Sequence, residues 1–138
     1  MKAHSSPRTA LVTGAAKRLG QAIAYGLAAD GWDIVVHYHS SEKEALATVD
    51  NIQTLGRRAV AIACDLSDET STRALITRSM EALGRISCVV NSASLFDYDD
   101  VPTFSVAKLN AHMHTNLAAP ILLTQALHKA TPDDEQSV

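Results

Sequence analysis

The feature that most constrains the fold is the stretch from Thr9 to Gln21, where a short apolar run passes through a glycine turn directly into a helical pattern. Leu11 and Val12 are typical of a buried strand, and Gly14 allows a sharp exit from it. Gly20 allows the start of the helix to lie close to a ligand, so that several backbone N–H groups can point at an anion. The stretch predicts a cradle for a dinucleotide pyrophosphate, and the alternative is an ordinary strand-to-helix turn.

Two cationic side chains in the turn help to decide between a phosphate cradle and an ordinary turn. The usual dinucleotide fingerprint has three glycines, and Arg18 occupies the place of the middle one. Lys17 and Arg18 stand beside the N-terminus of the predicted helix, where the helix dipole gives cations no stabilisation. An anionic ligand would favour both side chains, so the pair favours the phosphate cradle.

Length and composition limit the class of protein. A chain of 138 residues predicts a single domain with one core. Its 46% hydrophobic residues, 20% charged residues and formal net charge of −3 are typical of a soluble globular protein, and no basic excess points to nucleic acid. The start of the chain is short and polar, which predicts a loose tail over residues 1–8, no membrane role and a cytoplasmic location. Cys64 and Cys88 lie in apolar runs and are interpreted as buried reduced thiols.

Two periodicities alternate along the rest of the chain. Four apolar runs predict strands: one ending at Thr13, then Ile34–Tyr38, Ala59–Cys64 and Ile86–Val90. Helical patterns follow each of them, and right-handed crossovers then give an α/β fold, a doubly wound parallel sheet of about four strands with about four helices on both faces. A crevice should open beside strands one and four at the carboxyl ends, where Gly14, His37, Asp65 and Asn91 fall.

The predicted helices carry their own start, stop and face signals. The first has Leu19, Ile23 and Leu27 on one face and stops at Gly31. A capping box of Ser41 and Glu44 opens the second helix, which buries Ala45, Val49 and Ile52 and ends at Gly56. Ser67 caps the third helix, and Gly84 ends it. The fourth helix has an apolar stripe at Val106, Leu109, Met113 and Leu117.

The end of strand two indicates the form of the cofactor. A cofactor without a 2′-phosphate is usually held there by an acid about 20 residues after the glycine loop. No acid ends this strand, and hydroxyl and imidazole groups stand there instead, in the segment His37-Tyr38-His39-Ser40-Ser41. This favours NADP(H). The alternative for His37 and His39 is a hydrogen-bonded pair at a strand end, and the sparse ligand spacing predicts no metal site.

Four motifs in order resemble the short-chain dehydrogenase/reductase family over nearly the whole chain. They are the glycine motif at Thr13–Gly20, an adenine-contacting pair at Asp65-Leu66, the turn Asn91-Ser92-Ala93-Ser94, and a structural and catalytic asparagine at Asn116. The resemblance implies an NAD(P)-binding Rossmann domain over residues 9–138 and a small-molecule substrate. The cofactor contacts predicted from pattern and resemblance together are Gly14, Lys17, Arg18, Leu19, Gly20, His37, Tyr38, His39, Ser40, Asp65, Leu66, Asn91 and Ala93.

Departures from the family pattern point to its pteridine reductase branch. Arg18 replaces a glycine, Ser92 an asparagine and Ser94 a glycine, and the neighbouring residues resemble that branch. The resemblance implies that Arg18 reaches cofactor phosphate and substrate, that Ser94 lines the nicotinamide end, and that Phe96 stacks on a pterin ring. An aromatic face suits a planar heterocycle. The alternative is that Phe96 is a loop residue packed against the core.

The fourth helix contains a proline that opens its hydrogen-bond ladder. Pro120 has no N–H, so the carbonyl of Asn116, four residues earlier, loses its helical partner. That carbonyl could anchor a proton-relay water, in agreement with the catalytic role that the resemblance implies for Asn116. The alternative is a tolerated kink with Asn116 exposed.

The resemblance also implies a catalytic tyrosine with a lysine four residues later, beyond the fourth helix. Tyr25, Tyr38 and Tyr98 have no lysine at that spacing, so the chain is interpreted as the amino-terminal half of a longer enzyme, incomplete at its C-terminus. An uncovered edge on strand four and an uncovered apolar stripe then predict a homo-oligomer. The expected function is NADPH-dependent hydride transfer to a pterin-like or other carbonyl or imine substrate. The alternative is a non-catalytic dinucleotide-binding module.

Overall fold

The computed structural model describes residues 7–138, and residues 1–6 of the predicted tail lie outside that range. Arg8, also assigned to the tail, is bound to the domain. Its guanidinium donates to the carbonyl of Asp30 at 2.9 Å and lies 4.6 Å from the ring centroid of Trp32. Its carbonyl accepts the N–H of Asp33 at 2.8 Å.

A single parallel sheet organises the described residues. It has the strand order β3-β2-β1-β4, with β1 at Thr9–Val12, β2 at Asp33–Tyr38, β3 at Ala59–Ala63 and β4 at Cys88–Val90. The helices between successive strands are α1 (Arg18–Ala29), α2 (Glu42–Thr54) and α3 (Glu69–Leu83). β2 and β3 are added in turn on one side of β1, and β4 then pairs with the other side of β1. The predicted doubly wound α/β fold is confirmed, and its strand order reverses beside β1 as expected.

Two core layers cover the two faces of this sheet. Leu11 and Val35 lie in the layer with α3 and the last helix, whereas Val12 and Val36 lie in the layer with α1 and α2. All four side chains are fully buried. Successive residues of a strand point to opposite faces, so burial of both members of each pair is what a doubly covered parallel sheet requires.

The face that α1 turns to the sheet differs from the prediction. Its buried residues are Gly20, Ala24 and Ala28, and Leu19 is 69% exposed. Small residues allow the helix to lie close to the strands, so the longer Ile23 and Leu27 pack at the margin of the core.

Two helix starts also differ from the prediction. Ser41 stands at the N-cap of α2 as expected, but its side chain makes no capping hydrogen bond, so the capping box does not form. The N-cap of α3 is Asp68, whose carboxylate accepts from the N–H groups of Thr70 at 2.9 Å and Ser71 at 3.3 Å. Ser67, the predicted cap, instead donates its hydroxyl and N–H to Asp65. The predicted stops at Gly31, Gly56 and Gly84 are confirmed, since all three have positive φ just beyond a helix.

The last helical stretch is opened in its middle. A 3₁₀ turn at Val101–Thr103 precedes α4 (Val106–Met113), a π segment follows at His114–Ala118, and α5 (Ala119–Ala130) completes it. The N–H of Ala119 donates to the carbonyl of His114, five residues earlier. This widened turn immediately precedes Pro120, where the sequence predicts an interruption.

The outer edge of β4 is partly paired with the end of the chain. The N–H of Val138 donates to the carbonyl of Ser87 at 3.0 Å, and the N–H of Val89 donates to the carbonyl of Val138 at 2.7 Å. The expectation of an uncovered edge is therefore wrong at this position. Among the helices within residues 7–138, none is long and apolar enough to cross a membrane.

Candidate functional site

A cleft of about 650 Å³ lies at the carboxyl ends of the strands. The sequence predicts most of its wall: the glycine turn (residues 13–20), the end of β2, the end of β3 and the loop after β4. The lining residues are Gly14, Lys17, Arg18, Leu19, Gly20, His37, His39, Ser41, Cys64, Asp65, Leu66, Ser67, Ser92, Ala93, Ser94, Leu95, Ala111 and Thr115.

Both glycines of the turn are required by contacts within the chain. Gly14 has φ +63°, and a Cβ placed on it would lie 2.9 Å from the Cα of Ala93. A Cβ on Gly20 would lie 2.2 Å from the carbonyl oxygen of Gly14. Gly20 thus allows the first turn of α1 to pack on the backbone of the loop, rather than leaving room for a ligand as the sequence suggested.

Arg18 takes the backbone conformation of the glycine it replaces. Its φ of +53° is the only positive value among the non-glycine residues that the structure describes. A left-handed backbone costs an ordinary residue about 1–2 kcal/mol. Lys17, the N-cap of α1, makes no side-chain capping bond, and its ammonium lies 3.2 Å from the carboxylate of Glu44. The first N–H groups of a helix have no intrahelical partner, so this N-terminus can receive an anion from the cleft.

His37 connects three parts of the cleft wall. The residue is 2% exposed, its Nδ1 accepts the N–H of Gly14 at 3.0 Å, and its Nε2 lies 2.9 Å from the carbonyl oxygen of Cys64. Burial is the main cause of the lowered pKa of His37, and it outweighs the opposing effect of the bond to Cys64; the charge of His39 adds a smaller lowering. Both ring nitrogens are therefore used within the chain. This geometry is the hydrogen-bonded strand end that the sequence analysis kept as the alternative for His37.

Thr13 is a residue of the site that the sequence analysis did not single out. It is 1% exposed, and its hydroxyl oxygen accepts the N–H groups of Ser92 and Ala93, each at 3.0 Å. It also lies 3.3 Å from the carbonyl of Val90, to which it can donate. These bonds join the end of β1 to the loop after β4. A hydroxyl residue directly before Gly14, at the end of an apolar strand, was the available signal.

The ends of β2 and β3 lie side by side in the cleft wall. His39 Nε2 lies 4.0 Å from Asp65 Oδ2, and both side chains are largely exposed. The hydroxyl and N–H of Ser67 are the main causes of the lowered pKa of Asp65. Asp65 is the only carboxylate among the residues that line the cleft, whereas Leu66 is buried in the core layer below it. Tyr38 and Ser40 do not line the cleft.

The loop after β4 divides the remaining predicted residues. Ala93 and Ser94 line the cleft, but Asn91 does not. Phe96 is 85% exposed and also lies outside the lining, so it is not packed against the core. The side chain of Asn116 braces this loop, because its Oδ1 accepts the N–H of Leu95 at 2.7 Å and its Nδ2 donates to the Leu95 carbonyl at 2.8 Å. A catalytic role for its backbone carbonyl stays a prediction.

No group of three or more His, Cys, Asp or Glu side chains in the described range is arranged to hold a metal ion. Cys64 and Cys88 are free thiols, and burial raises the pKa of both. Cys64 is buried and Cys88 is half-buried.

Comparisons with known proteins agree with this geometry. The family model described as short chain dehydrogenase matches residues 8–137. An uncharacterized oxidoreductase of Methylorubrum extorquens is 33% identical over 122 residues, which are 88% of this chain and 49% of the relative.

Two similar solved structures contain a dinucleotide. A short chain dehydrogenase from Burkholderia cenocepacia, in complex with NADP, is 36% identical with a TM-score of 0.86, over 89% of this chain and 50% of that one. FolM alternative dihydrofolate reductase 1 from Brucella suis, also in complex with NADP, is 32% identical with a TM-score of 0.88, over 94% of this chain and 54% of that one. The chain spans about half the length of these relatives.

Proposed function

The chain belongs to the short chain dehydrogenase family, and we propose that it binds NADP(H) as the cofactor-binding part of an oxidoreductase. The uncapped, cationic N-terminus of α1 within the cleft is the main support. The two similar structures with bound NADP support the same ligand class. NADPH supplies a hydride when bound, and the residues of this chain would bind and orient it.

The residues of the cleft fit this cofactor by their chemistry. The N–H groups of Gly14 and Ala15 are used by the ring and the carbonyl of His37, so the first turn of α1 is left to receive the pyrophosphate. Arg18 and Lys17 add positive charge there. His39 and Ser41 offer polar groups to a 2′-phosphate beyond β2, a strand that ends without an acid of its own, and the only carboxylate in the cleft lining is Asp65 after β3, 4.0 Å from His39.

A titration with NADPH and NADH tests this proposal. We expect tighter binding of NADPH, and a loss of about tenfold or more when Arg18→Ala removes a charge-assisted phosphate contact. Lys43→Ala is the matched control, because Lys43 is exposed on α2 and does not line the cleft. Equal affinities for the two cofactors, or tighter NADH, would contradict the NADP(H) preference.

For the substrate we propose a dihydropterin- or dihydrofolate-type compound. The likeness to FolM alternative dihydrofolate reductase 1 supports it. So does an exposed aromatic, Phe96, close in sequence to Ser94 in the cleft wall. With NADP+ bound, dihydropterin should bind, and Phe96→Ala should weaken it several-fold by removing a stacking surface. Tyr98→Ala is the control, since Tyr98 is 75% exposed in the same loop. If both variants bind pterin equally well, Phe96 has no stacking role.

A non-catalytic dinucleotide-binding module is the second candidate. Tyr25, Tyr38 and Tyr98 have no lysine four residues later, so none of the three fits the proton donor that the resemblance implies. NADPH oxidation with a panel of pterins and ketones tests whether the residues of this chain catalyse hydride transfer by themselves. Turnover above the buffer rate would identify a proton donor within residues 1–138, whereas binding without turnover agrees with a chain that supplies only the cofactor site.

We also propose that the chain self-associates. The apolar stripe of Val106, Leu109, Met113 and Leu117 is exposed, with exposed fractions of 46–63%. Contiguous exposed apolar surface of this kind commonly marks an interface.

A further inference from the structure

His37 controls the two amide groups at the centre of the glycine turn. Its ring Nδ1 accepts the N–H of Gly14 at 3.0 Å, and its backbone carbonyl accepts the N–H of Ala15, also at 3.0 Å. One residue of β2 therefore holds two successive amides of the loop that follows β1. On its other side the turn touches Ala93, so it has little freedom to change shape without breaking one of these contacts.

The hydrogen bonds of the ring determine its tautomer. Nε2 lies 2.9 Å from the carbonyl oxygen of Cys64, which can only accept, so Nε2 carries the proton. Nδ1 must then be unprotonated, and its lone pair is what the Gly14 N–H requires. A second proton would stand on Nδ1, so that the Nδ1–H and the N–H of Gly14 would be two donors facing each other. The N–H of Gly14 would then lack its acceptor.

Charge around the ring opposes that second proton. His39 extends from the same strand, Lys17 and Arg18 belong to the glycine turn, and Cys64 and Asp65 end β3. Burial is the main cause of the lowered pKa of His37; the bond to Cys64 opposes it, and the charge of His39 adds a smaller lowering. Asp65 is the one cleft carboxylate that would favour the protonated ring. The neutral form therefore persists to a lower pH than in an exposed histidine.

We propose that His37 is a positioning residue for the dinucleotide, which holds the glycine turn in its binding shape only while its ring is neutral. The proposal rests on the function proposed above. His37 does not contact the cofactor through its ring nitrogens, because both are occupied. It acts through Gly14, and the fraction of molecules with a competent turn sets the apparent affinity for the dinucleotide.

Two amide substitutions separate the two bonds of the ring. In His37→Asn, the amide oxygen can stand at the position of Nδ1 and accept from Gly14. In His37→Gln, the amide nitrogen can stand at the position of Nε2 and donate to Cys64, but Gly14 loses its acceptor. We expect NADPH affinity in the Asn variant within about threefold of the parent, and in the Gln variant about tenfold weaker. The opposite order, or equal losses, would overturn the proposal.

A pH series gives a readout that a merely structural role would not move. As the pH falls below the ordinary titration range of histidine, the parent should lose NADPH affinity relative to His37→Asn, because a lowered pKa places the second proton of His37 on the acid side of that range. The ratio of the two affinities cancels the titration of the ligand, which is common to both proteins. A ratio independent of pH would overturn the proposal. If the pH step disappears in His39→Asn and persists in His37→Asn, His39 is the titrating group and the proposal is wrong.

Nuclear magnetic resonance separates this proposal from the proposed function. In the ligand-free protein, the amide resonance of Gly14 should shift as His37 titrates, and the ring nitrogens should have the shifts of the Nε2–H tautomer. If the Gly14 amide resonance did not shift as His37 titrates, the proposed role of His37 would be wrong even if NADPH binds. If the Gly14 resonance shifts with the titration of His37 as expected, but the protein binds neither NADPH nor NADH, the proposed function would be refuted instead.

Discussion

The glycine turn and the segment after β4 both contribute residues to the cleft, but they differ in how far their side chains are buried and hydrogen-bonded. At the turn, Thr13 and His37 are both buried and both fully engaged with backbone groups. After β4, Phe96 is 85% exposed and Val101 is 94% exposed, and α4 has no buried residue among its eight. The glycine-turn side of the cleft is therefore shaped by contacts within the chain, whereas the segment after β4 also presents apolar side chains, outside the cleft lining, that have no cover within the described residues.

Charged groups also differ between the two regions in how they are buried and paired. Asp33, at the other end of β2, is 1% exposed and binds Arg57 and Arg58, with N···O distances of 2.7 and 2.8 Å. Burial alone would raise the pKa of Asp33, but the bonds and charges of the two arginines hold it below its usual value. Charged groups on this side of the molecule are thus paired where they are buried. The region after β4 instead contains a half-buried pair with a longer contact, between Lys108 and Asp99 at 3.7 Å.

The largest effect that we expect on this comparison comes from Gly20→Ala. Its Cβ would lie 2.2 Å from the carbonyl oxygen of Gly14, so the loop or the helix has to move. We expect a loss of more than about 3 kcal/mol of unfolding free energy, as for severe overpacking, together with loss of NADPH binding. Thermal and denaturant unfolding, with a binding titration, measure both.

Gly26→Ala is the matched control in the same helix. No heavy atom lies within 4 Å of a Cβ placed on Gly26, and its helical backbone suits alanine. That variant should gain about 0.5–1 kcal/mol of stability from helix propensity and bind NADPH like the parent. If Gly20→Ala were as stable as Gly26→Ala, the glycine turn would not be the rigid part of the cleft.

The sequence predicts what depends on local pattern. Apolar runs give the strands to within one or two residues at most ends, and glycines after Asp30 and Leu55 give the helix stops. The choice between Ser67 and Asp68 as a cap is a matter of one residue, and side-chain reach decides it. These are differences of position within a correctly predicted element.

Contacts between distant parts of the chain could not be predicted in this way. Thr13 binds residues about eighty positions away, and Asn116 binds Leu95, so no local pattern announces either pair. The buried face of α1 follows from how closely the helix approaches the sheet, which favours alanine and glycine over leucine. For His37, composition indicated a polar strand end, but only the two ring distances show that its nitrogens are already occupied.

The smallest effect on stability should come from the other side of the comparison. Leu109 and Met113 are each 46% exposed, so replacing both with glutamate should change the unfolding free energy by only about 0.5 kcal/mol. The same change places charge in the centre of the apolar stripe, where a second copy would have to bury it. Light scattering after size exclusion should therefore report a larger assembly for the parent and a monomer for the double variant. Leu46→Glu is the control, since Leu46 is 51% exposed on α2, and it should leave the assembly unchanged. A parent that is monomeric at every concentration would show that the stripe does not join two copies.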